Sequence, residues 1–230
     1  MINSSDYKSS LLNELDVLIL PNGNYSFLKT TIPANSQIKK ETGASLLVNS
    51  SPPKELLEWV NNGGRLIVIG SAMKKFVDQK GFGLNAYESE SAKKEAKNDI
   101  EKERLKERNR KYEERKRDKL KNSVYGSIVR VDLDNSHPLA FGYKQYYHNL
   151  KLEKTLYPLL SKGWNVGILK DPNSVVAGFM GYKIKKQIKN NLIFGVQDAK
   201  KGKVIYISDN ILFRSFWYDS KVLFGNAIFF

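Results

Sequence analysis

Catalytic chemistry in this chain would have to rest on few side chains, because the chain contains two histidines and no cysteine. A common zinc site uses a histidine, a glutamate three positions later and a distant second histidine. Three positions after His137 and His148 the sequence has Ala140 and Lys151 instead. Two histidines without a third ligand do not make such a site, so the sequence predicts no metal centre and no cofactor. The lack of cysteine also excludes disulfides and cysteine nucleophiles.

Ser71 is a hydroxyl residue placed where a hydrolase nucleophile could stand, in the turn Ile69-Gly70-Ser71-Ala72 that follows an apolar run. With His137 as general base it would form a serine-type dyad, since serine replaces cysteine in other hydrolases. The same serine can instead cap the helix that follows, and this interpretation needs no second residue. We favour the cap and identify no catalytic residue, while the Ser71–His137 hydrolase stays as an alternative.

Two polar turns could hold a ligand or contact an adjoining domain. One is Asp134-Asn135-Ser136-His137-Pro138, in which Asp134 and His137 are the candidate contact residues. The other comprises Asp209, Asn210 and Arg214. Side-chain capping and an arginine–carboxylate bridge explain both clusters without a ligand. The aromatic residues around Trp217 fit core or interdomain packing better than stacking on bases.

These side chains are positioned by elements typical of an α/β domain. Val17–Leu20 and Leu66–Ile69 are apolar runs closed by turn residues, as in parallel strands buried on both faces. Helices are predicted over 53–61 and 72–79, and this alternation predicts a parallel sheet with helices on both faces. Later apolar segments predict further strands at 128–133, 166–169, 175–179, 192–196 and 204–207. A closing helix is predicted over 220–230.

The net charge of +14 is spread along the chain. Residues 89–122 are the most charged stretch, which we interpret as a helical or disordered insertion within a single domain of residues 1–230. Lys93 to Lys121 contains 14 of the 38 basic residues and 8 of the 24 acidic residues, a net +6. Evenly spread lysines favour solvation, so nucleic acid is the less favoured partner. A basic module that binds an anionic polymer through this stretch stays as an alternative function.

Two further classes of site are disfavoured. No run approaches 18 apolar residues, and the first residues lack the basic and apolar regions of a secretory signal, so we expect no membrane partner. The glycine-rich turns that cradle phosphates are also absent, which disfavours nucleotide binding. The sequence leaves the oligomeric state open.

Six segments outside the insertion carry a family likeness: Asp16–Gly23, Glu55–Gly70, Leu133–Tyr143, Gly163–Gly167, Ala177–Gly181 and the closing stretch from Phe194 to Phe230. Together they resemble the C-terminal domain of bacterial zinc carboxypeptidases of the carboxypeptidase A type, a domain similar in fold to class I glutamine amidotransferases. The resemblance implies a flavodoxin-like fold and a non-catalytic accessory domain that positions or stabilises an upstream peptidase domain during proteolysis. Zinc would then be bound in that peptidase domain, which is absent here, and the parent protein would be periplasmic or secreted.

The amidotransferase-like fold has a strand and a helix before the strand that matches Val17–Leu20, whereas about fifteen residues precede it here. We therefore expect a fold shortened at its N-terminus, with additional strands and the charged insertion. Either Met1 is an internal methionine of a longer reading frame, or the domain is itself shortened and another element covers the edge of its sheet.

Overall fold

One mixed sheet of eight strands forms the centre of the molecule. The computed structural model describes residues 8–23, 25, 28, 52–86, 112–215 and 217–230, with the backbone alone at 112–116. The strands are β1 (Val17–Leu20), β2 (Arg65–Ile69), β3 (Val124–Leu133), β4 (Tyr146–Lys151), β5 (Trp164–Leu169), β6 (Val175–Met180), β7 (Asn191–Ala199) and β8 (Gly202–Ile207). In the described residues their order is β1-β2-β8-β7-β5-β3-β4, and β6 also pairs with β3.

Only part of this sheet is parallel. β1, β2 and β8 run parallel to one another, whereas the remaining strands are antiparallel to their partners. The prediction of a parallel sheet is therefore correct for three strands and wrong for the others. The tight turn at Lys200 and Lys201 gives one physical reason, because two adjacent strands joined by two residues can pair only antiparallel.

Four α-helices are described: α1 (Lys54–Asn61), α2 (Tyr112–Lys121), α3 (Tyr182–Lys186) and α4 (Asp219–Phe229). The first and last confirm the helices predicted over 53–61 and 220–230. The helix predicted over 72–79 is instead a 3₁₀ helix at Gly70–Lys75. It ends at Lys75, with Phe76 as its C-cap. Three residues after Lys75, Asp78 has φ +55 and donates its backbone N–H to the Leu84 carbonyl. That left-handed residue ends any regular helix there.

Helices cover both faces of the sheet, as predicted, and β2 shows how. Leu66 and Val68 belong to the apolar cluster that includes α1, whereas Ile67 and Ile69 belong to the cluster that includes α4. Successive side chains of a strand point to opposite faces, so a strand buried between two helical layers must be apolar at every position. The fold class is accordingly mixed α/β.

The charged insertion predicted at 89–122 is described only at its end. There α2 runs to Lys121 and is followed directly by β3, while 89–111 lie outside the described residues. None of the helices in the described ranges has the length and apolarity needed to cross a membrane.

Candidate functional site

The carboxyl ends of β1, β2 and β8 lie at one edge of the sheet, because these three strands are parallel. Asn22 follows β1 and accepts a hydrogen bond from the backbone N–H of Ser71 at 2.5 Å. The Ser71 hydroxyl accepts in turn from the backbone N–H of Gly23 at 3.2 Å. Ser71 therefore links two strand ends. The prediction that it caps the following helix is wrong, because the 3₁₀ helix already begins at Gly70 and has no side-chain cap.

The sharp turn after β2 is made by Gly70, the residue before Ser71. Its φ is +59, and a Cβ at this position would lie 2.0 Å from Oδ1 of Asn22. In hydrolases with a nucleophile elbow, the nucleophile itself occupies the strained strand-to-helix turn. Here a glycine occupies it, and Asn22 fills the space that a nucleophilic side chain would need.

A buried polar cluster lies after β8 at the same edge. Asp209 is 1% exposed and its carboxylate is 3.4 Å from Nζ of Lys151, which is 0% exposed. Asn149 donates to Oδ2 of Asp209 at 2.9 Å, and the hydroxyl of Ser208 does so at 3.1 Å. Lys151 also donates to the backbone carbonyl of Thr155 at 3.1 Å. The carboxylate is thus surrounded by donors of this chain, which is how a buried charge becomes tolerable.

His137 lies at the opposite end of the parallel strands. Its ring centroid is 4.9 Å from that of Phe230, and the Lys203 ammonium at the start of β8 lies 4.2 Å from the same Phe230 ring. In the strand register, Lys203 lies opposite Arg65 at the start of β2, whereas Ser71 follows the end of that strand. β2 spans five residues, roughly 16 Å of strand. The structure does not bring Ser71 and His137 together.

The ring of His137 is held in one orientation and kept neutral. Nδ1 accepts a hydrogen bond from the backbone N–H of Leu139 at 3.1 Å, so a neutral ring has its proton on Nε2. Burial is the largest influence and lowers the pKa of His137 from its usual 6.5, while Asp134 partly opposes it. The side chain can therefore donate from Nε2 at neutral pH.

A cavity of about 370 Å³ opens beside His137 and adjoins a second one of about 290 Å³. Aromatic side chains that are unusually exposed for their size stand at its walls: Phe141 is 75% exposed, Trp164 55% and Phe229 87%. We call this feature the aromatic cavity, lined by Asp134, Asn135, Ser136, His137, Pro138, Phe141, Trp164, Lys203, Asn226, Phe229 and Phe230. Exposed aromatic clusters around a concavity are typical of binding sites.

The predicted contact residues divide between the two ends of the sheet. Asp134 lines the aromatic cavity with His137, and its Oδ1 accepts from the backbone and the hydroxyl of Ser136 at 3.1 and 2.5 Å. Asn210 follows the buried cluster and accepts from the Leu212 backbone at 3.2 Å. Arg214 packs over the Phe213 ring at 5.1 Å. The partner of Asp209 is therefore Lys151, and the bridge to Arg214 considered from the sequence is not formed.

The two histidines do not form a metal site. His148 lies on β4, where its ring centroid is 5.5 Å from that of Tyr146, and it is not among the residues that line the aromatic cavity. Across the described ranges, no three His, Cys, Asp or Glu side chains come together as metal ligands.

Sequence reasoning missed several side chains of both sites. Lys151 and Asn149 lie on a strand that had not been predicted, and Phe141, Trp164 and Phe229 were not singled out. The spacing of aromatic residues near Asp134 and at the end of the chain could have indicated a shared surface, but only the fold brings residues 141, 164 and 229 together.

No protein-family model and no curated protein matches the sequence. Two solved structures are similar to the chain at low identity. A cytoplasmic protein of Salmonella typhimurium has a TM-score of 0.49 and 16% identity, over 96% of this chain and 73% of its own. A protein of Bacteroides uniformis described as ThuA-like has a TM-score of 0.47 and 12% identity, over 99% and 74%. Similarity at this level transfers no function, so the function has to be argued from the site itself.

Proposed function

We propose that this chain is a non-catalytic, amidotransferase-like accessory domain that packs beside the zinc peptidase domain of a carboxypeptidase-type protein. Its role would be to position or stabilise that domain during proteolysis. The observation that carries the proposal is Gly70, whose φ of +59 and contact with Asn22 leave no room for a nucleophile at the turn after β2. The buried Asp209 supports it, since its carboxylate is already bound by Lys151 and Asn149.

The aromatic cavity supplies the contact surface in this proposal. Phe141, Trp164 and Phe229 are exposed in the isolated domain, and burial of large aromatic side chains dominates the energetics of many interfaces. Asp134 and His137 add polar groups to the lining of the cavity. An adjoining peptidase domain would cover the rings and receive a hydrogen bond from Nε2 of His137.

The first test is enzymatic. The purified chain, supplied with zinc, is assayed for hydrolysis of peptides with free C-termini. The proposal expects no turnover, and chelator-sensitive turnover would contradict it. Because Ser71 and His137 lie at opposite ends of β2, any hydrolysis that did appear should be unaffected by Ser71→Ala; its loss in that variant would instead support the serine-type alternative.

The second test concerns the partner. The proposal expects an upstream reading frame with a His-x-x-Glu motif, and an exported parent protein in cell fractions. Once co-expressed, the peptidase segment should bind this chain, and Trp164→Ala with Phe229→Ser should weaken that binding by tenfold or more, measured by calorimetry. Tyr125→Ala with Tyr182→Ala, which removes two rings exposed by 62% and 59% elsewhere, is the matched control. Equal effects of the two changes would contradict the assigned surface.

A further inference from the structure

A second exposed surface lies at the other end of β3, and it is built from four elements. The end of α2 leads into β3, and β6 leads into α3. Val124 of β3 pairs with Met180 of β6, and the Gly181 backbone N–H donates to the Ser123 carbonyl at 2.8 Å. A Cβ on Gly181 would lie 2.3 Å from the carbonyl oxygen of Lys121, so the end of α2 packs directly on this joint. The surface is therefore a fixed part of the domain.

Three aromatic rings are exposed on this surface. Tyr125 of β3 is 62% exposed, Phe179 of β6 44%, and Tyr182, the first residue of α3, 59%. The rings of Tyr125 and Phe179 have centroids 5.9 Å apart and are tilted by 37°. Tyr125 and Phe179 lie on strands, so the faces of their rings are held in fixed positions.

The chain segments that carry these rings are rich in positive charge. Residues 117–125 and 176–189 together contain seven basic side chains and one acidic side chain. The acidic one, Asp118, pairs with Lys121 at 3.2 Å. Lys186 lies 4.5 Å above the Tyr182 ring, so cation and ring are interleaved. We call this feature the basic aromatic surface; its basic members are Arg117, Lys119, Lys121, Lys183, Lys185, Lys186 and Lys189.

We propose that the basic aromatic surface binds single-stranded nucleic acid. Rings held on strands supply platforms for unpaired bases, and the surrounding ammonium groups neutralise the phosphates between them. A duplex would hide its base faces from the rings and use only the charge. A single strand, in which bases and phosphates alternate, therefore matches both the rings and the ammonium groups of this surface. This surface is separate from the aromatic cavity, so the inference does not depend on the accessory role.

The probe is a fluorescein-labelled oligothymidylate of about 20 nucleotides, with binding followed by anisotropy in low salt. Lys183→Glu with Lys186→Glu should abolish binding or weaken it at least tenfold. Lys54→Glu with Lys80→Glu makes the same change in charge at exposed positions on and after α1, a helix that packs against β8, and should cost much less. In a variant with neutral side chains, Lys183→Gln with Lys186→Gln, the slope of log affinity against log salt concentration should become less steep by about 1.4.

The rings are tested separately from the charge. Tyr125→Ala should weaken binding about tenfold, the loss of one stacked base, and Tyr125→Trp should restore it. Thermal unfolding of each variant checks that the fold is intact. Three outcomes would overturn the proposal: no binding in low salt, an unchanged affinity in a folded Tyr125→Ala variant, or equally tight binding of duplex DNA, heparin or anionic phospholipid vesicles.

Discussion

Lys151 and Asp209 form an ion pair with both side chains inside the protein, 3.4 Å apart and no more than 1% exposed. The lysine comes from β4 in the antiparallel part of the sheet, and the aspartate follows β8 in the parallel part. One buried contact thus joins the two halves of the molecule.

Removing one member of this pair should be costly. Lys151→Met leaves a buried carboxylate without its cation, and we expect a loss of about 3–5 kcal/mol in the free energy of unfolding. Adding Asp209→Asn removes the charge while keeping a group that can bond Asn149, so the double variant should regain most of the loss. Urea denaturation of the single and double variants measures both values. A Lys151→Met variant of unchanged stability would show that the pair contributes nothing.

The turn after β2 should tolerate no side chain. Gly70→Ala forces an alanine to φ +59 and into Oδ1 of Asn22, and the backbone conformation alone costs about 1–2 kcal/mol. In a double-mutant cycle with Asn22→Ala, the combined loss should be smaller than the sum of the two single losses, because the second change removes the collision. Strictly additive losses would mean that the collision is not what excludes the side chain.

His137 should make stability depend on pH. Burial lowers its pKa in the folded protein below 6.5, so the unfolded chain binds more protons in the window just below that value. The contribution of neutral His137 to the free energy of unfolding is complete above pH 6.5. It is lost as the pH falls through the lower pKa of the folded state. His137→Asn keeps an acceptor for the Leu139 N–H but does not titrate. The fall in melting temperature between pH 7 and 5.5 should be smaller in this variant; an identical fall would exclude His137 as its source.

Gln197 joins the layers on the face that α1 covers. Its Oε1 accepts from the Gly83 N–H at 2.6 Å and from the Tyr206 hydroxyl at 2.8 Å, and its Nε2 donates to the Gly81 carbonyl at 2.9 Å. Gln197→Met keeps the shape of the side chain but removes the acceptor of the buried Tyr206 hydroxyl, at a cost of about 1–3 kcal/mol in the free energy of unfolding. Tyr206→Phe should therefore cost less in the Gln197→Met background than in the natural sequence, as judged by denaturation midpoints.

Strands buried on both faces could be predicted from the sequence, because every position in them is apolar. β1 and β2 are found close to the predicted bounds, and the later strands differ mainly by extra residues at their ends. β4 was missed for a physical reason. The side chains that it turns to the core are Tyr147, Asn149 and Lys151, so its inward face is largely polar and has no apolar periodicity.

The candidate sites were less predictable for a related reason. Asp134 and His137 stand in one turn, and their proximity at the aromatic cavity follows from the local sequence. The partner of Asp209 is 58 positions away, on the strand that the pattern did not indicate. The nearby Arg214 was the natural choice from sequence, but its backbone is left-handed and its side chain packs over Phe213. Long-range pairing of polar groups leaves no periodic signal in a single sequence.

The position of β8 has a consequence for how the chain is made. β8 is inserted between β2 and β7, although it is synthesised about 130 residues after β2. A nascent chain on the ribosome therefore exposes one unpaired edge of β2 until β8 has emerged. Such an edge invites mispairing with other chains. Chaperone protection during translation should accordingly matter more for the yield of this protein than for its equilibrium stability.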